Sequence, residues 1–449
     1  MTIEICAVGG FSEIGKNMIA IKYKDEAIIC DMGFYLPKII TYQEEEGEVG
    51  SYGMTREILA KIDAIPDDSV IKEWKPFVKA IIIGHCHLDH LGGVPYMAGD
   101  YNCPVIATPY TLEVLKTILA DERIKIRNPL KPLSTGSSIK VSENITIEFI
   151  TMTHSTLQTA MTAIHTPEGT IVYANDYKFD NHPVIGKKPD YERLKELGNS
   201  GKVIALIMDS LYSDARMKTP SEKVAREMLG DVMLGVDNKG KLMVVTTFAS
   251  HIARLKSVID FGKKLKRKVV FMGRSMHKYI SAAENLNLVS FSKEAEIVWI
   301  GEHVKRKLKE ISLNKEKYLV ICTGNQGEPK SILMKMVMKD LPFEFQQGDT
   351  VIFSCRAIPA PINMANRAML EDKLSRKGVR IFKDIHVSGH AAREDHRDLI
   401  NMLKPKYVIP AHGDVSKLTP LADLASEMGY VLGKTVLIVR DGQIVEVEA

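Results

Sequence analysis

The sequence predicts an α/β fold built from layers of strands and helices. Short apolar segments bounded by glycine or polar residues recur along the chain, as at Ile3–Val8, Val78–Ile83 and Leu242–Thr246. Helical stretches separate several of these strands. Many of the strands also run directly into polar or glycine-rich turns. Because ligands of α/β sheets bind beyond the carboxyl ends of strands, we expect a functional site at these turns.

Length and composition indicate a globular protein with two domains. The 449 residues exceed the ~100–200 residues of a typical domain, and 45% hydrophobic with 26% charged residues is an ordinary globular balance. No apolar stretch approaches the roughly 18 to 20 residues of a membrane span, and the start lacks a signal-peptide layout. We therefore expect a cytoplasmic protein without membrane contact. The six cysteines form no CxxC pair, which predicts buried thiols rather than disulfides.

The formal net charge of +4 neither requires nor excludes a polyanionic partner. Two basic segments, at 263–268 and 305–307, stand out locally. We interpret them first as solvated helix faces and alternatively as a rim that contacts phosphates.

The predicted strands follow one another in a regular order. The segment Ile3–Val8 closes at Gly9-Gly10, and Ala27–Cys30 ends at Asp31. Residues 35–75 have mixed character and predict a long loop with a helical piece. Further strands are expected at 78–83, 144–150, 169–174, 203–208, 242–246, 268–272, 318–322, 350–354 and 407–410. The last three of these strands are followed by the polar turns Thr323–Gly327, Ser354–Arg356 and Ala411–Asp414.

A near match to a phosphate-binding loop appears at Gly10-x4-Gly15-Lys16. Asn17 replaces the Ser or Thr hydroxyl that would bind Mg²⁺, and Met18–Ile21 resembles a strand rather than the helix such a loop opens. Nucleotide hydrolysis is therefore disfavoured. We expect instead a turn that brings Asn17 and backbone amides near a site.

The segment His85-Cys86-His87-Leu88-Asp89-His90 carries the strongest chemical signal. Imidazole and carboxylate are usual ligands of Zn²⁺. On an extended segment His85 and His87 project to one side and can share a metal, while Asp89 and His90 can reach a second metal around the turn. The alternative is a group of surface or helix-capping histidines. Four metal-binding side chains placed directly after a buried strand make that alternative less convincing.

Such a centre needs ligands from elsewhere in the chain. Three candidates follow other predicted strands: His154, Asp176 and His412. A single histidine after a strand is usually a core or capping residue. The His85–His90 cluster changes that judgement because it requires partners.

The order of Asp31, the HCHLDH segment, His154, Asp176 and His412 resembles the metallo-β-lactamase superfamily, whose β-CASP branch inserts a second domain. Five further segments resemble the ribonuclease J family, namely GGFSEIGKN at 9–17, TFASH at 247–251, GRSM at 273–276, TGNQGEP at 323–329 and HVSGHA at 386–391. The similarity covers almost the whole chain and corresponds to the short archaeal type. It implies a metallo-β-lactamase αββα sandwich with an inserted α/β β-CASP domain.

The resemblance also implies domain boundaries and a ligand set. Residues 1–208 and 386–449 would form the metallo-β-lactamase domain, and residues 209–385 the β-CASP domain. Two Zn²⁺ ions, with Mn²⁺ or Mg²⁺ as possible substitutes, would be held by His85, His87 and His154 on one side, by Asp89, His90 and His412 on the other, and by Asp176 between them. Asp31 would support a ligand without binding metal.

The remaining family positions concern the substrate. Asp209 and His390 match a carboxylate–histidine pair facing the scissile phosphate, and His386, Ser388 and Gly389 match a loop that holds a substrate phosphate. Catalysis would involve Asp89 and Asp176, which can orient a water, and His390, which can protonate the leaving oxygen. Cys86 and Leu88 depart from the usual pattern, in which glycine and often an acidic residue stand. We interpret Cys86 as a spectator thiol.

The implied function is a zinc-dependent ribonuclease that hydrolyses RNA phosphodiesters. We expect a 5′-to-3′ exoribonuclease that prefers 5′-monophosphate ends, acts on single-stranded RNA in processing and decay, and forms a homodimer. Arg274, Arg356 and the lysine-rich segments would contact the RNA backbone. There are three alternatives: an RNA endonuclease of the β-CASP group, a small-molecule metallo-hydrolase, and a binding protein that kept the fold. The inserted domain counts against the small-molecule enzyme.

Overall fold

The computed structural model describes residues 2–45, 53–237 and 239–449. The strands are β1 (Thr2–Gly9), β2 (Met18–Tyr23), β3 (Glu26–Cys30), β4 (Val78–Ile83), β5 (Val105–Ala107), β6 (Leu130–Pro132), β7 (Ser137–Lys140), β8 (Thr146–Thr151), β9 (Ala160–His165), β10 (Thr170–Ala174), β11 (Val203–Asp209), β12 (Met243–Thr246), β13 (Lys268–Met272), β14 (Glu296–Val298), β15 (Tyr318–Cys322), β16 (Thr350–Phe353), β17 (Arg380–Phe382), β18 (Tyr407–Ala411) and β19 (Gln443–Glu448).

The α-helices are α1 (Leu36–Glu45), α2 (Arg56–Lys61), α3 (Leu88–Leu91), α4 (Val94–Met97), α5 (Pro109–Glu122), α6 (Tyr191–Asn199), α7 (Glu222–Gly235), α8 (Ile252–Lys264), α9 (Arg274–Asn285), α10 (Gly301–Leu313), α11 (Ile332–Met338), α12 (Pro361–Arg376), α13 (Arg393–Leu403) and α14 (Val415–Glu427). Short 3₁₀ helices lie at Asp68–Phe77, Ala98–Asp100, Phe291–Lys293 and Lys315–Lys317. Within the described residues, no helix is both long and apolar enough to cross a membrane.

The chain forms two compact units. The first contains residues 1–181, 186–219 and 388–449, and the second contains residues 182–185 and 220–387. The domain boundaries expected after residues 208 and 385 stay predictions.

The first unit is a sandwich of two sheets. One sheet has the order β19-β1-β2-β3-β4-β5-β6 and the other has the order β18-β11-β10-β9-β8-β7. Apolar side chains from the facing sides of both sheets, such as Ile21 and Ile82 from one and Phe149 and Ile207 from the other, pack into one core. A second core lies between the β18–β7 sheet and helices α6, α13 and α14. Burial of apolar surface on both faces of that sheet explains why its central strands are almost continuously apolar.

Strand direction brings the polar turns of the first unit to one edge of the sandwich. In one sheet β3 and β4 are parallel. In the other, β10, β11 and β18 are parallel, and β8 shares their direction because it is antiparallel to β9, as β10 is. The carboxyl ends of parallel strands lie at the same edge of a sheet, which is where ligands bind in α/β folds.

The second unit contains a parallel sheet with the order β14-β13-β15-β12-β16-β17. Its core includes Val244, Val320 and Phe353 from the strands and Leu308 and Leu370 from the helices. Parallel strands require crossover connections, and α8, α9, α10 and α12 supply several of them.

The expected strands agree with the observed ones to within two residues at each end. Residues 35–75 were expected to form a long loop with a helical piece. Their described part is more helical than that and contains α1, α2 and a 3₁₀ helix; residues 46–52 are outside the described residues. Polar side chains on the exposed sides of these short helices explain why apolar periodicity did not indicate them. All six cysteines are free and buried, which confirms the expected thiols.

We predict that the second unit depends on a buried ion pair. Lys315 Nζ lies 2.8 Å from Asp349 Oδ2, and the exposed fractions of the two residues are 5% and 0%. Asp349 also accepts hydrogen bonds from the backbone amides of Leu242 and Gln346. Asp349→Ala should lower the free energy of unfolding by about 3–5 kcal/mol, because it leaves a buried ammonium without its counter-charge. Denaturant unfolding monitored by circular dichroism measures the loss.

The control is a double-mutant cycle with Lys315→Met. The double variant should lose less stability than the sum of the two single losses, because removal of both charges leaves neither unpaired. Additive losses would contradict the pairing.

Candidate metal centre

The HCHLDH segment changes conformation within its own length. β4 ends at Ile83, His87 remains extended with φ −69° and ψ 149°, and α3 starts at Leu88. The amide of His90 donates to the carbonyl of His87 over 3.1 Å. This single helical turn places Asp89 and His90 in a second cluster, beside the one that contains His85 and His87, and the rings of His85 and His90 have centroids 4.2 Å apart.

A first cluster contains His85, His87, His154 and Asp176, whose candidate ligand atoms all lie within 4.8 Å of one another. His87 Nδ1 lies 3.2 Å from His85 Nε2 and 3.1 Å from His154 Nε2. Asp176 Oδ2 lies 3.4 Å from Nε2 of both His85 and His154. Tetrahedral zinc with bonds of ~2.0–2.1 Å separates its ligands by about 3.3–3.4 Å. The cluster therefore fits a tetrahedral cation.

A second cluster contains Asp89, His90, Asp176 and His412. His90 Nε2 lies 3.3 Å from Asp176 Oδ1 and 3.6 Å from Asp89 Oδ2. His412 Nε2 lies 3.8 Å from Asp176 Oδ1 and 3.9 Å from Asp89 Oδ2. Asp176 Oδ1 is buried and accepts no hydrogen bond from any described residue. Because a buried carboxylate oxygen needs a partner, this atom also fits a bound cation.

The protonation states favour metal ligands. Burial and the neighbouring His85 lower the pKa of His87 to about 3. Burial likewise holds the pKa of His154 well below its ordinary value. Burial alone would raise the pKa of Asp176, but His90 and His412 outweigh that effect and hold it well below the usual range. His87 and His154 are thus neutral, the form of imidazole that binds metal ions. Burial would lower the pKa of His90, but the charges of Asp176, Asp89 and Asp31 outweigh it and hold that pKa well above its ordinary value, so His90 must release a proton when it binds a metal.

Asp31 orients His90. It has a φ of 63°, a left-handed conformation that aspartate tolerates, and its Oδ2 accepts from His90 Nδ1 over 2.8 Å. Gly84 N and the Tyr173 hydroxyl donate to the same carboxylate. The His90 proton is therefore held at Nδ1, which leaves Nε2 free to face Asp89 and Asp176. The sequence analysis expected Asp31 in this position and missed Tyr173, since residue type alone does not show which way a strand residue points.

Asn17 orients His412. Its Nδ2 donates to the carbonyl of Asp89 over 3.0 Å, which fixes the amide orientation because a carbonyl can only accept. Oδ1 therefore accepts from His412 Nδ1 over 3.0 Å, and Nδ2 also lies 3.2 Å from His90 Nε2. A Cβ on Gly10 would lie 2.4 Å from Asn17 Oδ1. The glycine-rich turn thus places Asn17 beside the second cluster, near a site as the sequence analysis expected, although its contact with His412 was not anticipated.

His390 and Asp209 form a pair beside the first cluster. His390 Nδ1 lies 2.8 Å from Asp209 Oδ2, and His390 Nε2 lies 3.9 Å from Asp176 Oδ2. Asp209 is fully buried, and its other oxygen accepts from Leu211 N. Burial would lower the pKa of His390, but the charges of Asp176 and Asp209 outweigh it and raise the pKa to about 9. The pair can hold a proton near the metal ligands.

The predicted phosphate loop divides between the two compact units. Ser388 and Gly389 belong to the first unit, where Ser388 Oγ accepts from His390 N and the Gly389 carbonyl accepts from His154 Nδ1 over 2.7 Å. His386 belongs to the second unit. Burial and nearby Arg254 lower the pKa of His386 to about 3. Its Nδ1 is buried and has no hydrogen-bond partner among the described residues.

Cys86 and Leu88 lie between the ligands. Cys86 is fully buried, and burial raises the pKa of its thiol to about 12. A protonated thiol is a poor metal ligand. This supports the interpretation of Cys86 as a spectator.

Three protein-family models match consecutive parts of the chain. They are a beta-lactamase superfamily domain at residues 62–190, the beta-CASP domain of ribonuclease J at 239–371, and a Zn-dependent metallo-hydrolase RNA specificity domain at 379–439. Together with the two-sheet sandwich and its histidine–aspartate clusters, these matches define a β-CASP protein of the metallo-β-lactamase superfamily. They confirm the predicted fold class.

Full-length relatives narrow this class. The chain is 43% identical to ribonuclease J of Methanocaldococcus jannaschii over 100% of this chain and 99% of that protein. It is 45% identical to ribonuclease J of Pyrococcus abyssi over 99% of this chain and 97% of that protein. A crystal structure of a protein of unknown function from Enterococcus faecalis V583 shares the fold, with a TM-score of 0.66, 18% identity, and coverage of 99% and 100% of the two chains. The chain belongs to the ribonuclease J family, as the sequence resemblance indicated.

We predict that Asn17→Ala selectively weakens metal binding at the second cluster. Without the amide, no group fixes the His412 tautomer, and loss of such a supporting hydrogen bond typically lowers metal affinity about 10- to 100-fold. Affinity at the first cluster should stay unchanged. Zinc titration of the metal-free protein against a chromophoric chelator separates the two affinities.

Asn128→Ala is the matched control. Asn128 is also a buried amide of the first unit, but it donates to the carbonyls of Ala98, Tyr101 and Cys103. This variant should lower stability without changing either metal affinity. Equal weakening of both clusters by Asn17→Ala would show that the residue is merely structural.

Proposed function

We propose that this protein is a metal-dependent ribonuclease that hydrolyses phosphodiester bonds in single-stranded RNA. The observation that carries the proposal is the position of Asp176, which belongs to both ligand clusters and lies 3.9 Å from the His390–Asp209 pair. Two cation sites beside a proton donor suit displacement at a phosphodiester. The name of the two archaeal relatives and the RNA specificity domain matched at 379–439 support RNA as the substrate.

The metal ligands in this proposal are those of the two clusters. The first metal would be held by His85, His87 and His154, the second by Asp89, His90 and His412, and Asp176 would bridge them. Imidazole and carboxylate donors favour Zn²⁺, with Mn²⁺ or Mg²⁺ as substitutes. When bound, such a pair lowers the pKa of a bound water and stabilises charge on a phosphodiester.

The protein side chains supply orientation and a proton. The carboxylates of Asp89 and Asp176 accept hydrogen bonds from the attacking water and orient it. Asp209 holds the His390 ring through Nδ1, so that the Nε2 proton points toward Asp176 and can be given to the leaving oxygen. Cleavage in this direction leaves a 5′-phosphate on the downstream product.

Directionality follows from the phosphate loop. In this proposal His386, Ser388 and Gly389 hold a terminal 5′-monophosphate, so that the enzyme removes nucleotides from the 5′ end. Family resemblance supports this 5′-to-3′ exonuclease activity, a role in RNA processing and decay, a cytoplasmic location and a homodimer. An endonuclease of the same group would use the same metal ligands without a terminal phosphate.

We predict that the zinc-loaded protein releases labelled mononucleotide first from single-stranded RNA labelled at its 5′ end, and does so faster from 5′-monophosphate than from 5′-triphosphate RNA. His390→Ala should slow hydrolysis about 10²- to 10⁴-fold, because general acid catalysis contributes that much. Gel analysis of a time course measures product order and rate.

The matched control is His165→Ala. His165 lies in the same unit but bonds to Thr170 and Glu148 rather than to a metal ligand, so its loss should leave the rate unchanged. Internal fragments as first products would establish an endonuclease. No RNA cleavage, with hydrolysis of an ester, thioester or lactam, would establish a small-molecule hydrolase.

We also predict that the metal-free protein takes up two equivalents of Zn²⁺, and that His85→Ala and His412→Ala each retain one. Each substitution removes a ligand from one cluster and leaves the other intact. Elemental analysis after dialysis against buffered zinc measures the count. A single equivalent in the unsubstituted protein would refute a two-metal centre.

A further inference from the structure

One of the two tryptophans of the chain lies on the surface of the second unit. Trp74 is 6% exposed, whereas Trp299 is 41% exposed. Tryptophan contributes a large apolar surface to binding sites, and its exposure in a folded protein indicates a contact that this unit alone does not make.

Trp299 belongs to an aromatic stack. Its ring lies parallel to that of His277, with ring centroids 4.5 Å apart and an interplanar angle of 23°. His277 lies in the first turns of α9, and the preceding Gly273 donates its amide hydrogen to the carbonyl of Val298 over 3.1 Å. The imidazole therefore covers one face of the indole. The exposed fraction of Trp299 leaves the other face for a ligand.

A cleft of about 340 Å³ adjoins Trp299. Its other lining residues include His303 and Arg306 of α10, and Arg306 also lines a neighbouring cleft with Lys309. Sites of ~300 Å³ or more accommodate small organic groups. The cleft is large enough for a nucleobase.

The charges around this cleft leave cations free. In this cleft Glu296 and Glu310 share Lys307, and in the neighbouring cleft Glu302 contacts Lys305. By contrast, the guanidinium groups of Arg274 and Arg306 make no ion pair or hydrogen bond with any described residue. Across the two clefts and the start of α9, the five cations Arg274, Lys305, Arg306, Lys307 and Lys309 outnumber the three carboxylates, which complements a polyanion.

The position of Trp299 in the sheet is also informative. It follows β14, and all strands of the second unit are parallel, so Trp299 lies at the same sheet edge as the polar turns Thr323–Gly327 and Ser354–Arg356. β14 is two strands from β15, a distance of about 10 Å at the usual ~4.8 Å strand spacing. A nucleic acid strand of a few nucleotides spans that distance.

We propose that Trp299, His277, Arg274 and Arg306 form an accessory binding site for single-stranded RNA. A nucleobase stacks on the open face of Trp299, and the two guanidinium groups contact adjacent phosphates, an arrangement that binds single strands without sequence preference. An aromatic ring alone would suit a protein partner equally well, but the unpaired arginines favour a polyanion. The choice of RNA rests on the proposed function, whereas the binding itself requires no hydrolysis.

The test is fluorescence quenching in the metal-loaded His390→Ala variant, which should cleave RNA about 10²- to 10⁴-fold more slowly and so leave it largely intact during the measurement. Because Trp74 is buried, quenching by a 12-nucleotide oligouridylate or oligoadenylate reports on Trp299. We expect saturable quenching by RNA and none by inorganic polyphosphate, which has the charge but no bases. Trp299→Ala should abolish the quenching and raise the Kd for RNA about 5- to 150-fold, the range measured for loss of one base stack.

Two further variants sharpen the test. Trp299→Phe should restore most of the affinity, and Trp74→Phe should preserve the quenching. Absent quenching, equal quenching by polyphosphate, or an unchanged Kd in Trp299→Ala would overturn the proposal.

Other outcomes separate this proposal from the function on which it rests. Quenching by RNA without RNA hydrolysis by the unsubstituted enzyme would refute the ribonuclease activity and retain the binding site. A changed oligomeric state in Trp299→Ala with unchanged RNA affinity would make the surface a contact between copies of the chain and overturn the proposal.

Discussion

The centre of the first unit depends on one buried carboxylate. Asp176 lies within 3.9 Å of ring nitrogens from five histidines, which are His85, His90, His154, His390 and His412. These contacts require Asp176 to be ionised. They also require it to be shielded from water, because water would weaken every one of these electrostatic interactions. The sandwich explains how the rings reach Asp176 and how water is excluded. Its parallel strands deliver the rings to one edge, and its two cores exclude water from beneath them.

Local sequence was sufficient to select the side chains that the structure brings together in the two clusters. The HCHLDH segment follows an apolar strand, and strand-end positions selected His154, Asp176 and His412 from thirteen histidines and many acids. The reason is physical: a buried parallel strand is a continuous apolar run, so a polar residue immediately after it marks the sheet edge. The strands β4, β13 and β15 were predicted at their observed bounds for the same reason.

The supporting contacts were not accessible in this way. His412 meets Asn17 across 395 positions of sequence, and His390 meets Asp209 across 181. No local periodicity encodes such pairs, so His390 and Asp209 came from family resemblance and the role of Asn17 came from the structure. Edge strand β19 was missed because its alternating polar residues face solvent, and β9 because Thr162 interrupts a short apolar segment.

The pairing of β18 with β11 and of β19 with β1 has a consequence for biosynthesis. A nascent chain that has emerged through residue 385 already contains all four side chains of the first cluster. It still lacks His412, the residue that closes the second cluster, and it lacks His390. The two strands that complete the sheets are also still to be made. The second cluster therefore cannot form until His412 has emerged, after every residue of the first cluster has already been synthesised.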